Sequence, residues 1–173
     1  MEYKLQIKRT KDLLEKEISD IIFLKQQFWN YPFEKQKIWF EQNLYENDIH
    51  FLLFKNKELS AYLDAIKTYA IIDGKRINMI GIGNVCVHAK LQKKGMGRLL
   101  MKELNAYLDK NQLCGMLLCK DNLTDFYKKT GWILLKPQCV TVNSKEFKNN
   151  VMSYRMPQVI YDKISKIEFE RNF

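Results

Sequence analysis

The hydrophobic and polar positions along the chain repeat with two different periods, and together they predict the order of helices and strands. Residues 4–9 alternate with a period of two, which is typical of a strand with one buried face. Residues 13–29 carry apolar side chains near helical spacing, and a second helix is predicted after Pro32, which a first helical turn tolerates. The chain therefore opens with a strand and two helices.

Three strands are predicted next. The segments 50–54 and 59–69 are joined by a polar tetrapeptide, which favours an antiparallel hairpin. In the second segment, apolar residues at alternate positions share one face and leave Asp64 opposite it: Leu59, Ala61, Leu63 and Ala65. Asp73-Gly74 is a turn signal, and 77–87 predicts another long strand.

From Gly95 onwards the period becomes helical, and one apolar stripe is spaced as in a buried helix face: Leu100, Leu104, Tyr107 and Leu108. A short apolar strand follows at 115–120, then a short helix at 122–130 that ends before Gly131. The late strands are predicted at 132–135, 139–142 and 151–156. This order indicates an α/β fold whose mixed sheet has a parallel βαβ unit at its centre.

Length and composition fit one packed domain spanning residues 1–173. The chain is 46% hydrophobic and has a mass of 20.7 kDa. Its first residues are charged throughout, and no stretch reaches the roughly 18 apolar residues of a membrane span. A cytoplasmic protein without a membrane partner is therefore expected. The four cysteines include no C-x-x-C pair, so we expect reduced thiols packed as small hydrophobes and no metal site.

The formal net charge of +9 favours an anionic partner such as nucleic acid, an acidic membrane surface or a phosphorylated cofactor. The lysines are scattered, however, and form no run of five or six. A lysine-rich composition without functional meaning is the alternative. Nucleic-acid binding would require clustered basic residues with exposed aromatics, so nucleic acid is not expected as a partner.

The run Gln92-Lys93-Lys94-Gly95-Met96-Gly97-Arg98 lies between a predicted strand and a predicted helix. In such a turn several backbone N–H groups converge at the positive end of the helix dipole, where they bind anions. Glycine lets an anion approach these amides, and the basic side chains add charge at the rim. A purely structural glycine turn is the alternative. The run lacks the Gly-Lys-Ser/Thr of a P-loop and the third glycine of a Rossmann motif.

The strand residues Val85-Cys86-Val87-His88, followed by this glycine turn, resemble the signature of the GNAT acetyltransferases. A second element, Asn122 and then Phe126-Tyr127-Lys128-Lys129-Thr130-Gly131-Trp132, resembles a second motif of that family. The resemblance covers residues 77–135. It implies a mixed, mostly antiparallel sheet with a central parallel βαβ unit, helices on both faces, and acetyl-CoA as acyl donor.

Within the superfamily the nearest likeness is to aminoglycoside 2′-N-acetyltransferases. It rests on Trp39, His50 and the segment 127–132. Gly83 departs from that pattern, because those enzymes carry a glutamate at the matching position, and the departure leaves both the base and the substrate open.

The resemblance assigns cofactor binding to the strand, the turn and the second motif: Val85, Cys86, Val87, Gln92, Lys93, Lys94, Gly95, Met96, Gly97, Arg98, Asn122 and Tyr127. Tyr127 is the candidate proton donor to the leaving thiolate. A free tyrosine has a pKa near 10 and a thiol one near 8.5, so complete transfer is uphill by about 2 kcal/mol. We therefore expect Tyr127 to act mainly by hydrogen-bonding the sulfur. Asn122 would contact the pantetheine arm and also cap its helix, with Asp125 three residues on.

The general base is not assigned. The ordinary pKa of a histidine suits the role, but His88 follows the strand where a structural role is favoured. Asp64 is a second candidate and would act through a water, and Asn84 is placed to position one. Deprotonation relayed by solvent, with no single base, is the favoured hypothesis.

These observations predict an acetyl-CoA-dependent N-acetyltransferase that transfers the acetyl group directly to a primary amine. A non-catalytic CoA-binding or regulatory module and, less favoured, a basic nucleic-acid-binding domain are the alternatives. The acceptor stays open between an aminoglycoside, an amino sugar, a polyamine and a peptide. The first two helices and residues 136–150 are expected to form the acceptor side. A polycation would need a carboxylate lining, for which the sequence offers four candidates against its net positive charge: Glu41, Glu46, Asp48 and Asp64. Late strands in this superfamily often pair across dimers, which leaves a homodimer open.

Overall fold

The computed structural model describes residues 3–156 and 164–173. The chain divides into two compact units, neither of which is continuous in sequence. Unit 1 comprises Met1–Ile66 and Asn84–Leu104, and unit 2 comprises Lys67–Gly83 and Asn105–Phe173. The predicted organisation as a single domain over 1–173 stays a prediction, and each unit is described by itself.

Unit 1 begins with the elements predicted for the start of the chain: β1 (Tyr3–Arg9), α1 (Glu15–Gln26), α2 (Phe33–Asn43), β2 (Ile49–Lys55) and β3 (Glu58–Ile72), whose residues beyond Ile66 belong to unit 2. Glu17 fixes the start of α1, because its carboxylate accepts the Leu14 amide at 2.9 Å and pairs with Lys8 at 2.6 Å. Pro32 is the residue directly before α2. The predicted strand and both helices are therefore confirmed, the first helix with tighter bounds.

The strands of unit 1 pair antiparallel, β1 with β2 and β2 with β3. The loop residues Asn56 and Lys57 have φ of 51° and 68°, as a two-residue hairpin turn requires. The alternation in β3 assigns its apolar residues to one face but does not indicate that the opposite face is buried. In the structure Ser60, Tyr62 and Asp64 on that opposite face are also at most 2% exposed. The polar side of β3 is therefore inside unit 1.

Unit 2 contains the first part of β4 (Lys75–Val87), the end of α3 (Met96–Lys110) and the following elements: β5 (Gly115–Cys119), α4 (Thr124–Lys128), β6 (Ile133–Leu135), β7 (Cys139–Val142), β8 (Lys145–Glu146), β9 (Asn150–Tyr154) and β10 (Lys166–Phe169). β4 and β5 are parallel with Ile80 opposite Gly115, which confirms the predicted βαβ unit. The short strands β8 and β10 were not predicted.

The remaining pairs of unit 2 are mostly antiparallel, β9 with both β5 and β6, β10 with β3, and β7 with β8, while β10 and β7 are parallel. The predicted Asp73-Gly74 turn is confirmed, with φ of 46° and 82°. The Asp73 carboxylate also accepts the Lys166 amide at 2.7 Å, which fixes the start of β10. Within the described residues, none of the helices has the length and apolar character needed to cross a membrane.

Trp132 is the largest fully buried side chain of unit 2. Its indole N–H donates to Asn105 Oδ1 at 3.0 Å, and Asn105 Nδ2 in turn donates to the Thr130 carbonyl at 2.8 Å. A Cβ on Gly115 would lie 2.9 Å from both Leu108 and Trp132, so only glycine fits beneath the indole. Trp132 thus joins helix α3, strand β5 and the end of α4 in one packed centre.

Candidate active site

The glycine turn of unit 1 has a backbone conformation that glycine adopts without strain. Gly95 has φ of +86°, and a Cβ built on it meets no atom of the described residues within 4 Å. The requirement for glycine therefore comes from the backbone angle and not from crowding. The first backbone bond of α3 runs from Leu99 N to Gly95 O at 3.0 Å. The preceding amides have no intrahelical acceptor, as at any helix start, and lie at the positive end of the dipole.

The structure places the predicted cofactor residues 85–87 and 92–98 together in unit 1. Gln92 Nε2 donates to the Val87 carbonyl at 3.4 Å, so the turn is tied to the end of β4. The side chains of Gln92, Lys93, Lys94 and Arg98 are exposed, whereas that of Met96 is buried in the core. Met96 can therefore offer an anion only its backbone N–H. The turn has the geometry and the charge to bind a phosphate group.

His88 has a structural function in the fold. Its ring Nδ1 accepts the Lys90 amide at 3.3 Å and so caps the 3-10 turn Ala89–Leu91. Its own backbone N–H donates to the Ser60 carbonyl at 2.9 Å. These bonds fit the structural role favoured from the sequence, and a role of His88 as base stays a prediction.

Asp64 belongs to a buried chain of hydrogen bonds. Asn84 Nδ2 donates to Asp64 Oδ2 at 2.6 Å, and the Tyr62 hydroxyl also hydrogen-bonds Asp64. The same hydroxyl lies 2.8 Å from His50 Nδ1, and His50 Nε2 lies 2.9 Å from Thr10 Oγ1. These hydrogen bonds thus link Asn84 to Thr10 in one series, and the side chains in the middle of the series are fully buried.

The protonation states of this chain follow from burial. Burial lowers the pKa of His50 to about 4, and the charge of Lys25 adds to the effect, so the ring is neutral at pH 7. Burial raises the pKa of Tyr62, and the Asp64 carboxylate raises it further. A Tyr62 O–H that donates to Asp64 leaves its oxygen to accept Nδ1–H of neutral His50. One consistent direction of donation therefore connects His50, Tyr62 and Asp64.

The sequence did not predict this series of buried hydrogen bonds. His50 entered only through the family likeness, and Tyr62 was not singled out. The signal was present, because Tyr62 and Asp64 are two residues apart and so share a face of β3. The register then pairs His50 with Asp64 across the hairpin.

The buried His50 predicts that acid destabilises the protein. The unfolded chain protonates this histidine near pH 6.5, whereas the native ring protonates near pH 4. The unfolded state therefore binds more protons between these values, and stability falls by about 3 kcal/mol as pH drops through the window. Urea unfolding from pH 7 to pH 4 measures this slope. Carboxylates also contribute to this pH dependence, so the test compares the native protein with His50→Gln. If the free energy of unfolding changes equally with pH in both proteins, the prediction is contradicted.

Asn84 lies within β4 but has φ of +51°, a left-handed angle that asparagine tolerates better than most residues. Its side chain lines a cavity of about 310 Å³ in unit 1, beside residues of α1, α2 and the loop between them. Aromatic side chains form much of the wall: Trp29, Tyr31 and Trp39. The polar lining consists of Lys25, Lys35, Gln36 and Asn84. The first two helices and the loop between them therefore line a cavity, whereas none of residues 136–150 lines it. The acceptor side itself stays a prediction.

None of the four carboxylates considered for a cation-binding lining lines this cavity. Glu41 and Glu46 are exposed, Asp48 accepts the Tyr45 amide at 2.8 Å, and Asp64 lies behind Asn84. The cavity is instead lined by lysines. Lys25 is only 6% exposed, and its ammonium stands 4.5 Å from the Trp39 ring centre. Burial lowers the pKa of Lys25, while the charge of Asp64 opposes that change.

In unit 2, Tyr127 is 5% exposed, and burial raises the pKa of its hydroxyl, with a further contribution from Cys119. A raised pKa makes complete proton transfer to a thiolate still less favourable, in line with a hydrogen-bonding role. The capping interpretation of Asn122 is wrong. Asn122 lies in a 3-10 turn, Asp121–Leu123, and α4 starts only at Thr124, without a side-chain cap. Gly131 follows this helix with φ of +89°, as predicted.

None of the four cysteines forms a disulfide. Burial raises the pKa of Cys86 to about 12 and that of Cys119 to about 11. At neutral pH these groups are thiols, which are poor nucleophiles. In the described part of the chain, no group of three or more His, Cys, Asp and Glu side chains is placed to hold a metal ion.

The sequence matches the family model of the acetyltransferase (GNAT) domain over residues 9–135, well over half of the chain. The chain belongs to the GNAT acetyltransferase family. It is therefore an acyltransferase, and its mixed sheet with a parallel βαβ unit is the GNAT fold. No curated protein matches the sequence.

Solved structures share this GNAT fold. ElaA from Escherichia coli has a TM-score of 0.64 at 19% identity, over 88% of this chain and 99% of ElaA. YhbS from Escherichia coli, in complex with CoA, has a TM-score of 0.67 at 11% identity, over 97% of this chain and 89% of YhbS. A probable N-acyltransferase from Enterococcus faecalis V583 is 21% identical with a TM-score of 0.63; the match covers 76% of this chain and only 33% of that protein. At these identities the likeness concerns the fold alone.

Proposed function

We propose that the protein is an acetyl-CoA-dependent N-acetyltransferase that moves the acetyl group directly from the thioester to a primary amine. The observation that carries the proposal is the turn before α3, where Gly95 at φ +86° and the unpaired first amides of the helix suit a pyrophosphate. This turn stands at the GNAT signature position within the matched residues 9–135. A GNAT relative of the same fold, YhbS, binds CoA.

Acetyl transfer needs a neutral amine, a polarised carbonyl and help for the leaving thiolate. By the family resemblance, the backbone N–H groups of residues 85–87 would bond the acetyl carbonyl and the pantetheine arm, and Tyr127 would hydrogen-bond the sulfur. Cys86 supports direct transfer, because a thiol with a pKa near 12 is not available as an acyl-enzyme nucleophile at neutral pH.

For the base, we propose that the amine loses its proton to Asp64 through a water that hydrogen-bonds both the Asn84 carbonyl oxygen and the Asp64 carboxylate. The Asn84 amide group donates to Asp64, so its carbonyl oxygen is left to accept a hydrogen bond. Asn84 lines the cavity, and Asp64 lies directly behind it. Tyr62 and His50 keep the carboxylate in place from the other side.

The finer likeness to aminoglycoside 2′-N-acetyltransferases stays a prediction. An aminoglycoside is a polycation, and the lysines of the cavity do not favour one. Gly83 also supplies no carboxylate where those enzymes have a glutamate.

Thermal unfolding with and without acetyl-CoA tests the proposed function, with NAD and ATP as controls. Acetyl-CoA at 100 times its Kd should add about 2.7 kcal/mol and raise the Tm by roughly 5–10 °C. The controls should leave the Tm unchanged. The absence of any shift at millimolar acetyl-CoA would contradict the proposal.

Gly95→Val is expected to weaken acetyl-CoA binding by about tenfold or more, because a β-branched residue relaxes out of the left-handed conformation and displaces the amides. Isothermal titration measures the Kd. Gly74→Val is the matched control: Gly74 has φ of +82°, and its Cβ would also meet no described atom within 4 Å, but it lies in the β3–β4 turn of unit 2. Both variants should lose similar stability and only the first should lose affinity. Unchanged affinity in Gly95→Val would count against the turn as the pyrophosphate site.

A further inference from the structure

The cavity of unit 1 has a polar lining that indicates the chemistry of its ligand. Its charged side chains are Lys25 and Lys35, and among the described residues that line it there is no carboxylate. Lys25 is buried, whereas Lys35 is exposed and lies at the rim. Even with Asp64 behind Asn84, positive charges outnumber negative ones here. An anionic ligand is therefore favoured over a polycation.

Lys25 is the group best placed to bind that anion. Its ammonium is buried, and its pKa is lowered even though the Asp64 charge acts in the opposite direction. Asp64 therefore only partly offsets the cost of burying this cation. A ligand carboxylate beside Lys25 would stabilise the charged form further and form a charge-assisted hydrogen bond.

Gln36 indicates a hydrogen-bond donor on the same ligand. Its Nε2 donates to the carbonyls of Trp29 and Tyr31 at 3.2 and 3.3 Å, so the orientation of its amide is set. Its Oε1 is buried, and no described residue donates to it. A buried acceptor without a donor is costly, and an N–H of the ligand would satisfy it.

The position of Asn84 relates these groups to the reaction. Asn84 directly precedes the segment 85–87 that the resemblance assigns to the acetyl group, and it lines the same cavity as Lys25. Both residues also interact with Asp64, Asn84 by a hydrogen bond and Lys25 through its charge. A ligand that places its amine at Asn84 and its carboxylate at Lys25 must therefore carry these two groups close together.

The rest of the wall is apolar. Trp29, Tyr31 and Trp39 line the cavity, and a volume of about 310 Å³ is at the small end of ligand sites. We propose that the acceptor is a free amino acid with an aromatic or other apolar side chain, an inference that rests on the proposed function. The carboxylate of this amino acid binds Lys25, and its amine lies at Gln36 and Asn84.

The test uses matched trios of amines in a thiol-release assay with acetyl-CoA. Each trio holds an amino acid, its methyl ester and the corresponding decarboxylated amine: phenylalanine with phenethylamine, tryptophan with tryptamine, and leucine with isoamylamine. Spermidine and kanamycin represent polycations. At least one amino acid should exceed its ester and its decarboxylated amine in kcat/KM by about tenfold, the worth of a hydrogen bond to a charged group.

Lys25→Met should remove this preference, so that an amino acid and its decarboxylated amine react with similar kcat/KM, whereas Lys25→Arg should retain most of the preference. Lys16→Met is the matched control on the same helix, since Lys16 is an exposed lysine that pairs with Asp20. It should behave as the native protein. If Lys25→Met still prefers an amino acid to its decarboxylated amine, the proposed role of Lys25 is wrong.

Failure of this inference is distinguishable from failure of the proposed function. Faster acetylation of the esters, the simple amines or the polycations would overturn the amino-acid inference while leaving the N-acetyltransferase in place. If no amine is acetylated, calorimetric titration of the amino acids in the presence of CoA measures their binding directly. If no amino acid binds, the inference is overturned. The Tm shift with acetyl-CoA reports separately on the donor site.

Discussion

Asp64→Asn is expected to lower kcat by about 100- to 10,000-fold, the contribution typical of a general base. Asp64 is fully buried behind Asn84, and the substitution replaces an acceptor by an amide that cannot take the proton. It also removes the negative charge that partly balances Lys25. The measurement is kcat as a function of pH, with the amine that releases CoA fastest, together with the Kd for acetyl-CoA, which should not change.

Asp48→Asn is the matched control, because Asp48 is a second buried carboxylate of unit 1, only 2% exposed, away from the lining of the cavity. It should lose stability and retain kcat to within about threefold. An equal fall of kcat in both variants would show that Asp64 acts only through the fold. A loss below about threefold in Asp64→Asn would favour deprotonation relayed by solvent without a single base.

Trp132→Ala is expected to destabilise the protein by about 3–5 kcal/mol, as for other fully buried tryptophans. The substitution opens a cavity beside Leu108 and Gly115 and leaves Asn105 Oδ1 without its indole donor. For a chain of this size the Tm should fall by roughly 6–20 °C. Urea unfolding and thermal scans both measure the change.

Trp132→Phe separates the contribution of volume from that of the hydrogen bond. Phenylalanine fills much of the indole space but cannot donate to Asn105, so a loss of about 1–2 kcal/mol is expected. If Trp132→Ala costs no more than this, the packed centre around the indole contributes less to stability than its burial indicates.

The features that the sequence predicted well are local ones. Gly95, Gly74 and Gly131 all have positive φ, and each was recognisable from its neighbours along the chain. The βαβ unit followed in the same way, because period and turn residues within about thirty positions define it. The glycine turn of the candidate site therefore needed no tertiary information.

The features that were missed depend on pairing between distant residues. β10 is four residues long and pairs with β3 and β7, nearly a hundred and about thirty residues away. A segment this short carries too few alternating positions to stand out. The buried face of Asp64 was missed because alternation in β3 indicates which residues share a face, but not that both faces are covered.

The lysines that line the cavity could not be recognised from the sequence either. Lys25 is one of 29 lysines and arginines in the chain, and nothing in its immediate sequence separates it from a solvated side chain. Its burial arises from the packing of unit 1, where its ammonium meets the ring of Trp39 on the other helix. Charge lining a cavity is a property of the fold, and composition alone gave only the net charge.

The interruption of unit 1 by residues 67–83 has a consequence for synthesis on the ribosome. Asp64 leaves the ribosome 20 residues before Asn84, whose amide donates a hydrogen bond to the Asp64 carboxylate. A nascent chain that has reached Ile66 holds β1, β2 and the start of β3, but neither Asn84 nor the glycine turn. We therefore expect vectorial folding of unit 1 to pause with a polar strand face incompletely covered, until the chain has emerged from the ribosome as far as Leu104.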